Sequence, residues 1–191
     1  MSSVSLPDEV RAACAWVAER SRLVSIDEER IDDYAAGLTQ TAEPAAATES
    51  SSSADRDPEA ATAFAICMNA INFGSGWWPT IRKRPGLSGY GTMEAGIGER
   101  FASAGPWSAE ELAAMDAGTI ASTLGQDPEH PLMAQFAVSF GDIGMHVRDD
   151  HGGRFLGVVE EAESVPALAA ALAGWCSFAD SSHYEGREVP F

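Results

Sequence analysis

The stretch from Asn69 to Tyr90, N-A-I-N-F-G-S-G-W-W-P-T-I-R-K-R-P-G-L-S-G-Y, most constrains what this chain can fold into. Gly74, Gly76, Pro79, Pro85, Gly86 and Gly89 interrupt any long helix or strand, because glycine loosens the backbone and proline removes a ladder donor. Trp77 and Trp78 bring two large flat side chains that pack well only against other residues. Arg82-Lys83-Arg84 is the one dense cationic run. Regular elements must therefore lead into this turn and stack after it. Trp77 to Arg82 is long enough for a short strand, with Pro85-Gly86 as a turn.

Hydrophobic periodicity supplies those elements, and it is helical. Asp8 to Arg20 repeats Val10, Ala13, Cys14 and Val17. From about Asp27, Ile31, Tyr34, Ala35 and Leu38 share a face, so both segments read as core-facing amphipathic helices. Asp57-Pro58-Glu59 has the order of N-cap, first residue and first-turn acid. Phe64, Cys67, Met68 and Ile71 follow as its stripe, and Gly74 offers a left-handed close. Ser88 or Gly89 starts a helix with Tyr90, Met93, Ile97 and Phe101, stopped at Gly105-Pro106. Ser108-Ala-Glu-Glu111 matches a capping box, and Asp116 to Leu124 ends at Gly125. Pro131 to Asp150 is the longest amphipathic stretch, with Leu132, Phe136, Phe140, Ile143 and Val147. Gly152-Gly153 breaks it before Phe155, Val158 and Val159. A last helix opens at Pro166 and runs through Leu168 and Leu172 to Trp175. Glu185-Gly186 is a turn between short extended pieces. The expected class is mainly α, one helical domain over residues 1–191 with at most a short hairpin. Residues 39–57, small and polar, read as a flexible loop.

Charge removes several functions. The net charge is −17, and the twelve Lys and Arg include a single lysine, Lys83. Direct nucleic-acid binding needs cations spread over a face, and anionic lipid repels such a surface, so neither is expected as a partner. No apolar run reaches the roughly 18 residues that span a bilayer. Three widely spaced cysteines without a C-x-x-C pair read as buried free thiols, which points to a reducing, cytoplasmic setting.

Two clusters carry chemistry. His146, Asp149, Asp150 and His151 contain ligand types, but the histidines stand five apart and straddle a helix end. Helical zinc motifs place them four apart, so no metal and no cofactor is expected. Arg82 and Arg84 lie beside glycines and near a helix start, the ingredients of a phosphate site. The same cations could simply offset surrounding acid. Trp77-Trp78 is open between core packing and base stacking. Walker, dinucleotide and G-x-S-x-G motifs are absent from the sequence.

Six segments in order resemble the queuosine salvage family. They are A-W-V-A-E-R-S-R-L-V-S-I-D-E-E-R-I, N-A-I-N-F-G-S-G-W-W-P, S-G-Y with its helix, W-S-A-E-E-L, H-G-G-R-F-L and Y-E-G-R-E-V-P-F. The resemblance implies a fold like that of helix-rich DNA glycosylases. It implies hydrolysis of the N-glycosidic bond of queuosine 5′-phosphate, releasing queuine for tRNA modification. As the base leaves, the ribose gains positive charge that a carboxylate can stabilise. Asn69, Asn72, Phe73 and Trp77 fall in the family's helix end and aromatic turn and are taken as substrate-binding. Arg82 and Arg84 join them as phosphate candidates on chemical grounds.

The resemblance also implies what to miss. The family usually has aspartate where this chain has Asn69, whose amide keeps the shape but cannot act as a base. The family's catalytic carboxylate belongs to a segment after Val189-Pro190-Phe191, so no catalytic residue is assigned. Hydrolysis, a non-catalytic nucleotide-binding or interaction domain, and an inactive shortened form all stay open. Helices left without that segment would expose Phe136, Phe140, Trp175 and Phe191 as an apolar patch able to drive self-association.

Overall fold

The computed structural model describes residues 5–41 and 57–190 of the chain. Among those residues the regular structure is nine α-helices, three short 3-10 turns and one two-stranded antiparallel hairpin. Mainly α is therefore the class. The backbone groups into two compact units. One is Asp57–Ala179, and the other combines Met1–Arg56 with Asp180–Phe191. Most of the segment read as a flexible loop, residues 39–57, lies outside the described residues; its first three positions belong to a helix.

In the second of these units, α1 (Leu6–Arg20) opens with a proline in its first turn followed by Asp8 and Glu9, acids that suit the positive helix end. Strands β1 (Ser181–Tyr184) and β2 (Arg187–Pro190) pair with Tyr184 opposite Arg187. Their turn places Glu185 at φ 45° and Gly186 at φ 79°, the double left-handed backbone that matches hairpin twist. Trp16 stands edge-on to Tyr184 at 6.0 Å. The guanidinium groups of Arg20 and Arg187 lie 4.4 and 5.0 Å from the Trp16 ring centre. Helix α2 (Ile31–Thr41) follows the 3-10 turn Glu28–Arg30. Its apolar stripe does not face a core: Ile31 is 51% and Tyr34 70% exposed. Periodicity gives a helix a face without supplying the surface that covers it.

The Asp57–Ala179 unit is built around one long helix. Helix α3 spans Pro58–Ala70, α4 Gly89–Ala104, α5 Ala109–Ala113 and α6 Ala117–Leu124; α7 spans Pro131–Asp150, α8 Phe155–Glu160 and α9 Val165–Leu172. Local chemistry fixes most ends. Ser88, Asp116 and Ser164 accept backbone N–H bonds as N-caps, and Ser108 with Glu111 forms the full capping box. Gly125 closes α6 in the left-handed region at φ 65°.

Helices α3, α5 and α6 all pack on α7. Phe136, Phe140, Ile143 and Val147 of α7 are fully buried, among Met93, Ile97, Leu112 and Ile120. Trp175 is buried in the same core. The apolar patch expected at Phe136, Phe140 and Trp175 is thus absent there, because these rings already have partners within the unit; Phe191 lies outside the described residues. The tightest approach is at Gly144, where an added Cβ would fall 2.1 Å from the Ala113 backbone nitrogen.

A second tie spans the unit. Glu59 accepts the N–H of Phe155 at 2.6 Å and that of Leu156 at 2.8 Å, one on each carboxylate oxygen. The sequence reading gives Glu59 to its own helix dipole. Its oxygens instead satisfy the first free donors of α8, through charge-assisted bonds about twice as strong as neutral ones.

Two of the three cysteines also depart from expectation. Cys67 is buried, and loss of solvation pushes its thiol up to about 12, whereas Cys14 and Cys176 are exposed. Cys14 sits one residue past the inward-facing Ala13, a rotation of about 100° around the helix. A thiol reagent at pH 8 should modify two cysteines of the native protein quickly and the third only in denaturant. Fast reaction of all three would contradict the burial of Cys67. Among the described residues, no helix is long and apolar enough to cross a membrane.

Candidate functional site

The turn after α3 is a 3-10 segment, Asn72–Trp77, followed by tight turns as far as Ile81, rather than the expected strand. Gly74 keeps a right-handed backbone. Its role is spatial. A Cβ on Gly74 would lie 2.4 Å from Cη2 of Trp78, and one on Gly89 would lie 2.5 Å from Cγ of the same side chain. The Trp78 side chain therefore meets glycine at its ring tip and at its base. This contact joins the helix-end turn to the start of α4, and it overrides the β-propensity of the tryptophan pair.

The rest of the stretch is pinned by hydrogen bonds. Gln126, buried, accepts the N–H of Arg82 at 2.9 Å and donates to the C=O groups of Arg82 and Leu124 at 2.9 and 3.0 Å. His130 accepts the N–H of Leu132 on Nδ1 at 3.2 Å and sits 2.9 Å from Thr80 Oγ1, which donates to the C=O of Trp77 at 2.8 Å. That order of donors fits a neutral ring carrying its proton on Nε2. Trp77 meets this imidazole edge-on at 5.7 Å.

The six predicted site residues are distributed along this framework. Phe73, 44% exposed, stands edge-on to the buried Phe136 at 5.5 Å. Asn72 is exposed beside it. Trp77 is half-buried against His130. Arg82 is exposed, with its guanidinium 3.6 Å from Asp127. Arg84 forks onto Glu99, one bond at 2.9 Å, and its own N–H donates to Thr92. Hydrogen bonding in this pair holds the Glu99 carboxyl below its ordinary range and raises the Arg84 guanidinium. Both arginines thus have carboxylate neighbours, the arrangement in which cations offset local acid.

Asn69 lines a concave surface. An open groove of about 580 Å³ runs between α3, α8, α9 and the 3-10 turn Cys176–Phe178. Thr62, Ala65 and Asn69, spaced three and four apart, form its α3 side. Val158, Leu168, Leu172 and Phe178 form the apolar side. Asn69 donates through Nδ2 to the C=O of Ala65 at 2.8 Å, which leaves its Oδ1 as an acceptor at the groove. No carboxylate is among the lining residues. Such a surface can hold a flat, partly apolar ring and offer it one or two hydrogen bonds. Sequence reasoning missed Val158, Leu168, Leu172 and Phe178 as site residues. The four-residue spacing of Leu168 and Leu172 is a helical stripe like any other, and Phe178 carries no local signal.

Around Trp175, His146 stacks at 4.7 Å and 3° and meets Asp150 at 2.8 Å, so the i,i+4 pair does share a face. Among the described residues no group of three or more ligand side chains is placed to hold a metal ion. No family model matches the chain, and no curated protein matches it.

Proposed function

We propose that this chain binds a 7-deazapurine nucleotide of the queuosine 5′-phosphate type and serves in queuosine salvage by holding it. Six sequence segments in family order support the substrate class. The observation that carries the reading is the position of Asn69, the residue standing where the family usually has aspartate, at the edge of an apolar groove. The flat base lies against Phe178 and Leu172, with Asn69 Oδ1 accepting from a ring or exocyclic N–H. Hydrolysis of the glycosidic bond needs an anion near the ribose. An amide and an uncharged lining supply binding without that anion, which favours the non-catalytic alternative over turnover by these residues.

Calorimetric titration of the 191-residue chain with queuosine 5′-phosphate tests this, alongside chromatography for free queuine. The expected dissociation constant is on the order of 10 μM, as for a partly open site of this size. Asn69→Ala should weaken binding roughly tenfold, the upper value of one net hydrogen bond. No heat at millimolar nucleotide would remove the reading. Release of queuine at enzymatic rates would replace it with hydrolysis.

A further inference from the structure

The outer wall of the groove is its least anchored part. None of the residues of α9 is buried, although Leu168 and Leu172 turn inward from one face. The turn that follows is held firmly. Trp175 is buried and lies flat on His146 of α7. Ser177 donates its backbone N–H to Asp142 Oδ2 at 2.8 Å. Its hydroxyl lies 2.7 Å from the same oxygen and 2.9 Å from the C=O of Ser139. A hydroxyl has one proton to give, and a carboxylate is the stronger acceptor. Ser139 and Asp142 stand three apart on α7, so both meet the turn. The other carboxylate oxygen faces His146 Nε2 at 3.8 Å, and the Asp142 side chain is 13% exposed. Phe178, the aromatic wall of the groove, is the residue next to Ser177.

We propose that Asp142 is a positioning residue for the nucleotide groove: by gripping Ser177 it fixes Phe178, and behind it α9, as the outer wall. The inference rests on the reading that this groove holds the nucleotide. Asp142 is not among the lining residues, so it acts through Ser177 and not on the ligand. A carboxylate at this place does two things an apolar residue could not. It saturates a backbone donor and a hydroxyl together, and it leaves the apolar wall free of polar groups.

Hydrogen exchange over residues 165–178 of the full chain decides the matter. Asp142→Ala should speed exchange there about tenfold while interior amides of α3 and α7 keep their protection. Asp142→Asn, whose amide oxygen still accepts from Ser177, should restore most of that protection, and nucleotide affinity should fall and recover in the same order. Unchanged exchange, or an equal rise through α3 and α7, overturns the proposal. If Asp142→Ala does not fold, Ser177→Ala is read in the same way, a selective rise supporting the latch and no rise overturning it. Failure of the wild-type chain to bind queuosine 5′-phosphate would defeat the nucleotide reading, while the exchange result would still decide whether Asp142 holds the wall.

Discussion

Gly144→Ala is expected to be the most damaging single-methyl change in the Asp57–Ala179 unit. Helix propensity argues the other way, since alanine is favoured over glycine inside a helix by about 1 kcal/mol. Packing decides the sign. The new Cβ would sit 2.1 Å from the nitrogen of Ala113 and 2.6 Å from the carbonyl oxygen of Ala109. Both obstacles are backbone, so no side-chain rotation relieves them. Helix α5 would have to retreat from α7, and Leu112, now fully buried, would lose its contacts. Overpacking of this kind costs roughly 3–5 kcal/mol against a total stability of about 5–15 kcal/mol. In urea followed by circular dichroism, the midpoint should drop by about 2 M. An unchanged or higher midpoint would show that α5 does not approach α7 as described.

The second large effect belongs to the Trp78 clamp. Gly89→Ala places a Cβ 2.5 Å from Trp78 Cγ, while Gly74 leaves no room at the ring tip for the side chain to slide. We expect a loss of about 2–3 kcal/mol. The clash has one partner, so it should disappear when that partner is removed. In a Trp78→Ala background the same glycine change should cost little, giving a coupling of about 1–3 kcal/mol in a double-mutant cycle. Additive costs would mean that the indole is not the obstacle, and the account of this turn would fail.

These two glycines also mark the limit of what the letters convey. The ends of α7 at Pro131 and Asp150, the Ser108–Glu111 box, the Ser88 cap and the stop at Gly125 were all legible. Each is settled by residues within a few positions of one another. Gly74 reads as a helix stop, and the apolar stripe of α7 passes over Gly144, because nothing nearby announces the indole or backbone each must admit. Likewise the stripe of α2 predicts a buried face that the structure leaves at the surface. The site divides in the same way. Asn69 is findable from the stretch it belongs to. Its groove is assembled from α3, α8, α9 and a later turn, and Asp142 enters it only through Ser177, 35 residues along.

The clasp at Glu59 has a consequence for the order in which the chain can be completed. The carboxylate leaves the ribosome early, and its two amide partners follow 96 and 97 residues later. Every shorter nascent chain must present those oxygens to water, and α3 must wait with one end unfastened while later helices are made. The loop closed at that moment is among the longest in the protein, and joining distant ends is the slow part of reaching a native topology. Synthesis therefore completes this clasp only after most of the unit has been made, with α9 and the Ser177 turn still to follow.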